Sequence, residues 1–164
     1  MSCPIALSLE EVGEAWSLLI LRDVFMGVRR FHDLELRLGI SASTLTRRLA
    51  ELCRKGLLHA TLYEQKPKRY EYTLTDKGED LLEVLLALGA WGNRWLTQVI
   101  VPVDANTGAR VDPVLVDRVT GRRLSAGQVA LAAGRDASSK MREFLKPPRK
   151  LGRCAPTLVL EASS

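Results

Sequence analysis

The stretch "SASTLTRRLAELCRKGLL", residues 41–58, gathers hydroxyl and guanidinium side chains on a segment that also carries Leu45, Leu49 and Leu52. The leucine spacing predicts a helix over about 42–54 with an apolar inner stripe. Ser41 is placed as its N-cap and Lys55-Gly56 as its stop. Ser43, Thr44, Thr46, Arg47 and Arg48 are then candidates for contact with nucleic acid, together with Ser41. Short hydroxyls and long cations at the N-terminal end of a helix can reach base edges and phosphates in a major groove. The free N–H groups of the helix start favour a phosphate as well. A second basic group lies in "QKPKR", where Lys66, Lys68 and Arg69 fall at the expected tip of a hairpin. Arg29 joins the candidate contacts, whereas its neighbour Arg30 is expected to be structural.

Other chemistry finds little support. Cys3, Cys53 and Cys154 stand far apart, and His32 and His59 have no metal-ligand spacing with them. There is no nucleophile–base pair, no paired carboxylates and no phosphate-binding glycine loop, so an enzyme, a metal site and a cofactor are not expected. Cys3 stands out because it precedes Pro4 at the start of a predicted helix, where a thiol can gain reactivity. It is the candidate thiol sensor. Cys53 is expected to be a half-buried packing residue and Cys154 an exposed tail residue.

Charge is focused rather than spread. Residues 29–69 hold ten Lys/Arg against four acids, while 1–28 and 70–98 are each net acidic and 99–164 net basic. A central basic block between acidic segments suits a polyanionic partner. No apolar run reaches the roughly 18 residues of a membrane span, and no secretory leader is read at the start, so the cytoplasm is the expected location.

The elements that must position these residues read as follows. Residues 6–26 are apolar at a helical period, with Ser8 and Glu11 at capping-box spacing and Gly13 marking a break or bend. A short helix over about 31–38 ends at Gly39, where a left-handed residue is wanted. The helix of 42–54 follows, giving the form of a helix-turn-helix. Two alternating runs, 57–65 and 70–74, predict the hairpin. Thr75 caps one long helix over about 76–96, whose stripe of Leu81, Leu85, Leu88, Trp91 and Trp95 exceeds what so small a domain can cover. Leu7, Leu85, Leu88, Trp91 and Trp95 are therefore the candidate dimer interface. Trp16 is expected in the core. The fold class is mainly α with a small β-hairpin wing, a winged helix-turn-helix, followed by an extension of short strands and turns. The boundaries are read as 1–98 for the winged domain, 99–139 for the extension and 140–164 for a basic tail expected to be mobile. No internal repeat is read.

Taken together, "CPI" at 3–5, "VGEAWSLLILRDVFMGVRRFHDLELRLGISASTLTRRLAELCRKGLL" at 12–58 and "YEYTLTDKGEDLLEVLLALGAWGNRW" at 70–95 resemble the HxlR family of bacterial transcriptional regulators. The resemblance covers nearly all of 3–96. It implies a winged-helix homodimer on a palindromic operator, joined through the first helix and the long helix after the wing. It implies that Ser43, Thr44 and Arg47 face the major groove, that Arg48 matches the recurrent Arg of L-T-x-R-L, and that Lys66, Lys68 and Arg69 occupy the wing. A cysteine placed like Cys3 senses oxidants or electrophiles in some members, and others respond to small molecules. Glu14-Ala15 departs from the usual Gly-Lys. The segment "ARVDPVLVDRVTGRRLS" resembles the extension of longer members, some of which carry cysteines where this chain has none. The expected function is a sequence-specific regulator, a repressor by preference, controlled by a small molecule or by thiol oxidation. The alternative is a winged-helix module for protein–protein contact without specific DNA binding.

Overall fold

A computed structural model describes residues 3–125 and 127–152. The chain divides into two compact units, residues 1–113 and 114–164.

In the first unit α1 (Pro4–Val12) and α2 (Ala15–Phe25) are separate helices. Gly13 closes α1 with a bond from its N–H to the Leu9 carbonyl (2.7 Å), and Glu14 turns extended to start α2. The start of α1 differs from the capping-box expectation. Cys3 is its N-cap and Pro4, whose missing N–H costs nothing there, its first residue, so Ser8 lies mid-helix. The helix-turn-helix itself is α3 (Phe31–Leu38) and α4 (Ala42–Arg54). Gly39 joins them with φ of 64°, a left-handed conformation that a side chain would strain. The Ser41 Oγ then accepts the Thr44 N–H as cap.

β1 (Leu58–Gln65) and β2 (Lys68–Leu74) form the antiparallel wing, with Leu58 opposite Leu74 and a bulge between Leu62 and Glu64. A bridge between Arg30 and Glu71 adds a third short edge. The core is built from Val12, Ile20, Leu21, Val24, Leu34, Leu45, Leu49, Leu52, Leu57 and Leu58, drawn from α1, α2, α3, α4 and the chain entering the wing's first strand. Trp16 is only half-buried and lies outside that cluster.

The single long helix expected after the wing is two. α5 (Asp76–Glu79) ends where the Leu81 N–H bonds back to Gly78, three residues away (3.2 Å), and α6 (Leu82–Trp95) starts anew. Gly78 is fixed by packing: a Cβ there would sit 2.2 Å from the Leu57 carbonyl oxygen.

Beyond α6 the chain holds a repeat that the sequence reading missed. Val-Asp-x-x-Thr-Gly-x-Arg occurs at 103–110 and again at 116–123. Each copy closes a small hairpin through a bridge, Val103 to Arg110 and Val116 to Arg123. In the second unit β3 (Ala130–Leu131) pairs with β4 (Arg149–Lys150), and α7 (Ser139–Phe144) is capped by Ser138. Part of the basic segment expected to be mobile is thus helix and strand. Cys154 and the end of that segment lie outside the described residues.

Candidate nucleic-acid interface

The α4 face opposite the core is a polar surface with a fixed start. Leu45, Leu49 and Leu52 are buried, which turns Ser43, Thr46, Arg47 and Arg54 to solvent. Ser41 organises the N-terminal turn, its hydroxyl donating to the Thr44 Oγ1 (2.9 Å) and lying 3.1 Å from the Ser43 hydroxyl. The Thr46 hydroxyl is spent on the Ala42 carbonyl (2.8 Å), so it presents a methyl rather than a free donor. No carboxylate among the described residues pairs with Arg47. Arg54, which the sequence reading omitted, follows Arg47 by seven residues and so lies on the same helical face, with its side chain 72% exposed.

Arg48 does not belong to that surface. Its side chain is only 11% exposed and is clamped by Glu14 (2.6 Å) and Glu51 (3.0 Å). Two of its nitrogens are engaged in those bonds, and the third is buried without a partner. Arg29 is also placed elsewhere. Its carbonyl accepts the Tyr72 N–H (2.8 Å), and the residue lines a cleft with Thr73, Glu79 and Leu82, on the α5–α6 side of the wing. Arg30, expected to be structural, bonds Glu71 (3.0 Å) and lies over the Tyr63 ring at 4.9 Å.

At the wing tip Lys66 and Lys68 are exposed and carry no ion pair among the described residues, whereas Arg69 is held by Glu64 at 3.3 Å. Three free cations, Arg47, Lys66 and Lys68, are thus offered by two elements of one compact unit. The scaffold behind them is braced by a buried carboxylate that the sequence reading did not single out. Asp23 is fully buried and bonded by Arg22 (2.9 Å) and Arg37 (3.4 Å), tying α2 to α3.

The other predicted residues fall into two groups. Leu88, Trp91 and Trp95 are 51%, 55% and 68% exposed on α6, and Leu7 on α1 is also exposed, while Leu85 packs in part on the core. Cys3 is half-buried, with its backbone carbonyl bonded to the Leu7 N–H (3.0 Å). Cys53 is half-buried against the core, and burial pushes its thiol pKa up, away from reactivity. Among the described residues no group of His, Cys, Asp and Glu could hold a metal. No helix among them is long and apolar enough to cross a membrane.

The model of an HxlR-like helix-turn-helix matches residues 11–100. The chain belongs to the HxlR family of helix-turn-helix transcriptional regulators. An HTH-type transcriptional regulator of Mycobacterium tuberculosis is 38% identical over 138 residues, covering 82% of this chain and 87% of the relative. That span is longer than the family match, so the likeness continues into the extension. Among solved structures, a candidate transcription factor of Pseudomonas aeruginosa is 44% identical, with a TM-score of 0.64 over 87% of this chain and all of that one. The redox regulator HypR in its reduced form is 29% identical, with a TM-score of 0.52 over 56% of this chain and 92% of that one.

Proposed function

We propose that the protein is a homodimeric repressor that reads a palindromic operator with α4 and grips the flanking backbone with the wing, in the bacterial cytoplasm. The observation that carries this reading is the uncommitted Arg47 on a Ser41-capped helix, together with Lys66 and Lys68 of the wing, none of them in an ion pair among the described residues. Arg47 supplies a fork that fits guanine in the major groove. Ser43 and Thr44 complete the contact at the helix start. The lysines neutralise phosphates without regard to sequence. The exposed Leu and Trp stripe of α6, with the apolar residues of α1, is the surface we assign to the partner copy. Two α4 helices about 34 Å apart would then enter successive major grooves on one side of the duplex.

The likeness to a redox regulator, together with Cys3 at the N-cap of α1, favours thiol oxidation as the controlling signal. The deciding experiment titrates the protein onto DNA from its own promoter region at two salt concentrations, with and without a thiol oxidant. The reading expects tight binding that weakens steeply with salt and is lost on oxidation, and a Cys3→Ser variant that keeps binding in oxidant. Salt-indifferent or absent binding would favour the protein–protein module. An unchanged oxidant response in Cys3→Ser would remove Cys3 from the mechanism.

A further inference from the structure

We propose that the cleft between the C-terminal half of α6 and the first hairpin of the extension binds a small organic monocarboxylate. The cleft has a volume of about 350 Å3. That is within the range of small-ligand sites. Arg94 enters from α6 and Arg110 from the hairpin, and neither has an ion-pair partner among the described residues. Two guanidiniums lining one cleft repel each other until an anion neutralises them, and each fork matches a carboxylate. Asn93 and Gln98 add carboxamide N–H donors, while Pro102, Val111 and Pro113 form an apolar wall for the body of the ligand. Asp112 on the same rim reduces the excess positive charge to one. That carboxylate works against a dianion and so selects a singly charged ligand over phosphate.

The cation from the extension is held in advance. The Asp104 carboxylate accepts from the N–H of Asn106 (3.0 Å), the N–H of Thr107 (2.8 Å) and the Thr107 hydroxyl (2.9 Å). The Thr107 and Asn106 donors keep the Asp104 pKa below its ordinary value. The Asp104 N–H bonds Ala109 (2.8 Å) and the Val111 N–H bonds Pro102 (3.0 Å), so Arg110 stands on a closed turn rather than a free strand. Asn93 and Arg94 also share α6 with Trp91 and Trp95, so an occupied cleft fixes the helix assigned above to the dimer. Any effect on operator binding rests on that reading; the binding site does not.

The test titrates the full chain with benzoate and hexanoate, and with benzamide and inorganic phosphate as controls, by calorimetry and by amide NMR. At least one carboxylate is expected to saturate at millimolar concentrations or below and to shift the amides of 93–98 and 109–112. Benzamide and phosphate are expected to bind at least about tenfold more weakly. Arg110→Gln and Arg94→Gln should each weaken the carboxylate by about tenfold or more. Asp104→Ala should weaken it less, because it loosens the hairpin without touching the ligand. No saturable shift from either carboxylate up to about 10 mM would overturn the proposal, as would binding unchanged in both folded arginine variants. Operator binding is measured in parallel. Intact DNA binding without carboxylate binding refutes the cleft alone, and the converse refutes the regulator reading alone.

Discussion

Arg48 offers the sharpest test of how the interface is divided, because its residue type and position suit a phosphate contact and its geometry does not. Arg48→Ala removes two charge-assisted hydrogen bonds, at 2.6 Å to Glu14 and 3.0 Å to Glu51, from a side chain only 11% exposed. A buried bond to a charged group is worth about 1.5–3 kcal/mol. The Glu14 carboxylate is 61% exposed and Glu51 keeps Lys55 at 3.2 Å. Both acids can therefore be solvated or re-paired, which holds the total near the value of one such bond. Lost packing of the aliphatic stem adds to it. The expected loss is about 2 kcal/mol of unfolding free energy, a fall in midpoint temperature of about 4–10 °C for a domain of this size. Urea denaturation reads the stability. Operator titrations at several salt concentrations read the phosphate count. The slope of log affinity against log salt should stay at the wild-type value. A variant of wild-type stability whose slope falls by about 0.9 would show that Arg48 leaves the clamp to hold a phosphate, and would refute the assignment.

Three further outcomes follow from the same geometry. Arg47→Ala should reduce discrimination between operator and random DNA by about 1–3 kcal/mol, while Lys68→Ala should weaken both alike and lower the salt slope by about one unit; parallel titrations on the two DNAs separate these effects. Trp91→Lys, at a residue 55% exposed in one copy, should turn a dimer into a monomer in sedimentation while leaving the circular dichroism of the fold intact. Glu51, bonded mainly by Lys55, and Glu11, bonded mainly by Lys77, both have pKa values depressed below the ordinary 4.5. Their contribution to stability is full above about pH 4.5 and is lost as pH falls through the depressed values, so denaturation midpoints should hold down to that pH and drop below it.

The sequence carried the parts of this fold that depend on neighbours along the chain. The leucine period of α4, the Ser41 and Thr75 caps and the left-handed Gly39 are all local signals, and each stands where the residue types place it. What escaped depends on partners far along the chain. Arg48 and Arg47 are adjacent and of one type, yet Glu14, 34 residues upstream, takes one and leaves the other. Arg29 is directed by its pairing with Tyr72 in the wing. The paired hairpins escaped for a different reason: the two copies share five of eight positions, and most of those are turn residues that resemble ordinary loop composition.

The long-range bonds that hid Arg48 also tie the start of the chain to α4. Glu14 sits at the α1–α2 junction and its carboxylate is bonded to α4 through Arg48. Lys55, the C-cap of α4, donates to the Glu11 carbonyl at the end of α1 (2.9 Å), and Lys77 bonds the Glu11 carboxylate (2.7 Å). The α1–α2 junction is thus fastened to the middle of α4 and the end of α1 to its C-cap, by charged groups and not by core packing alone. Such bonds are directional, so they fix orientation as well as distance. On the dimeric reading proposed above, a displacement of α1 would load these bonds and so reach α4.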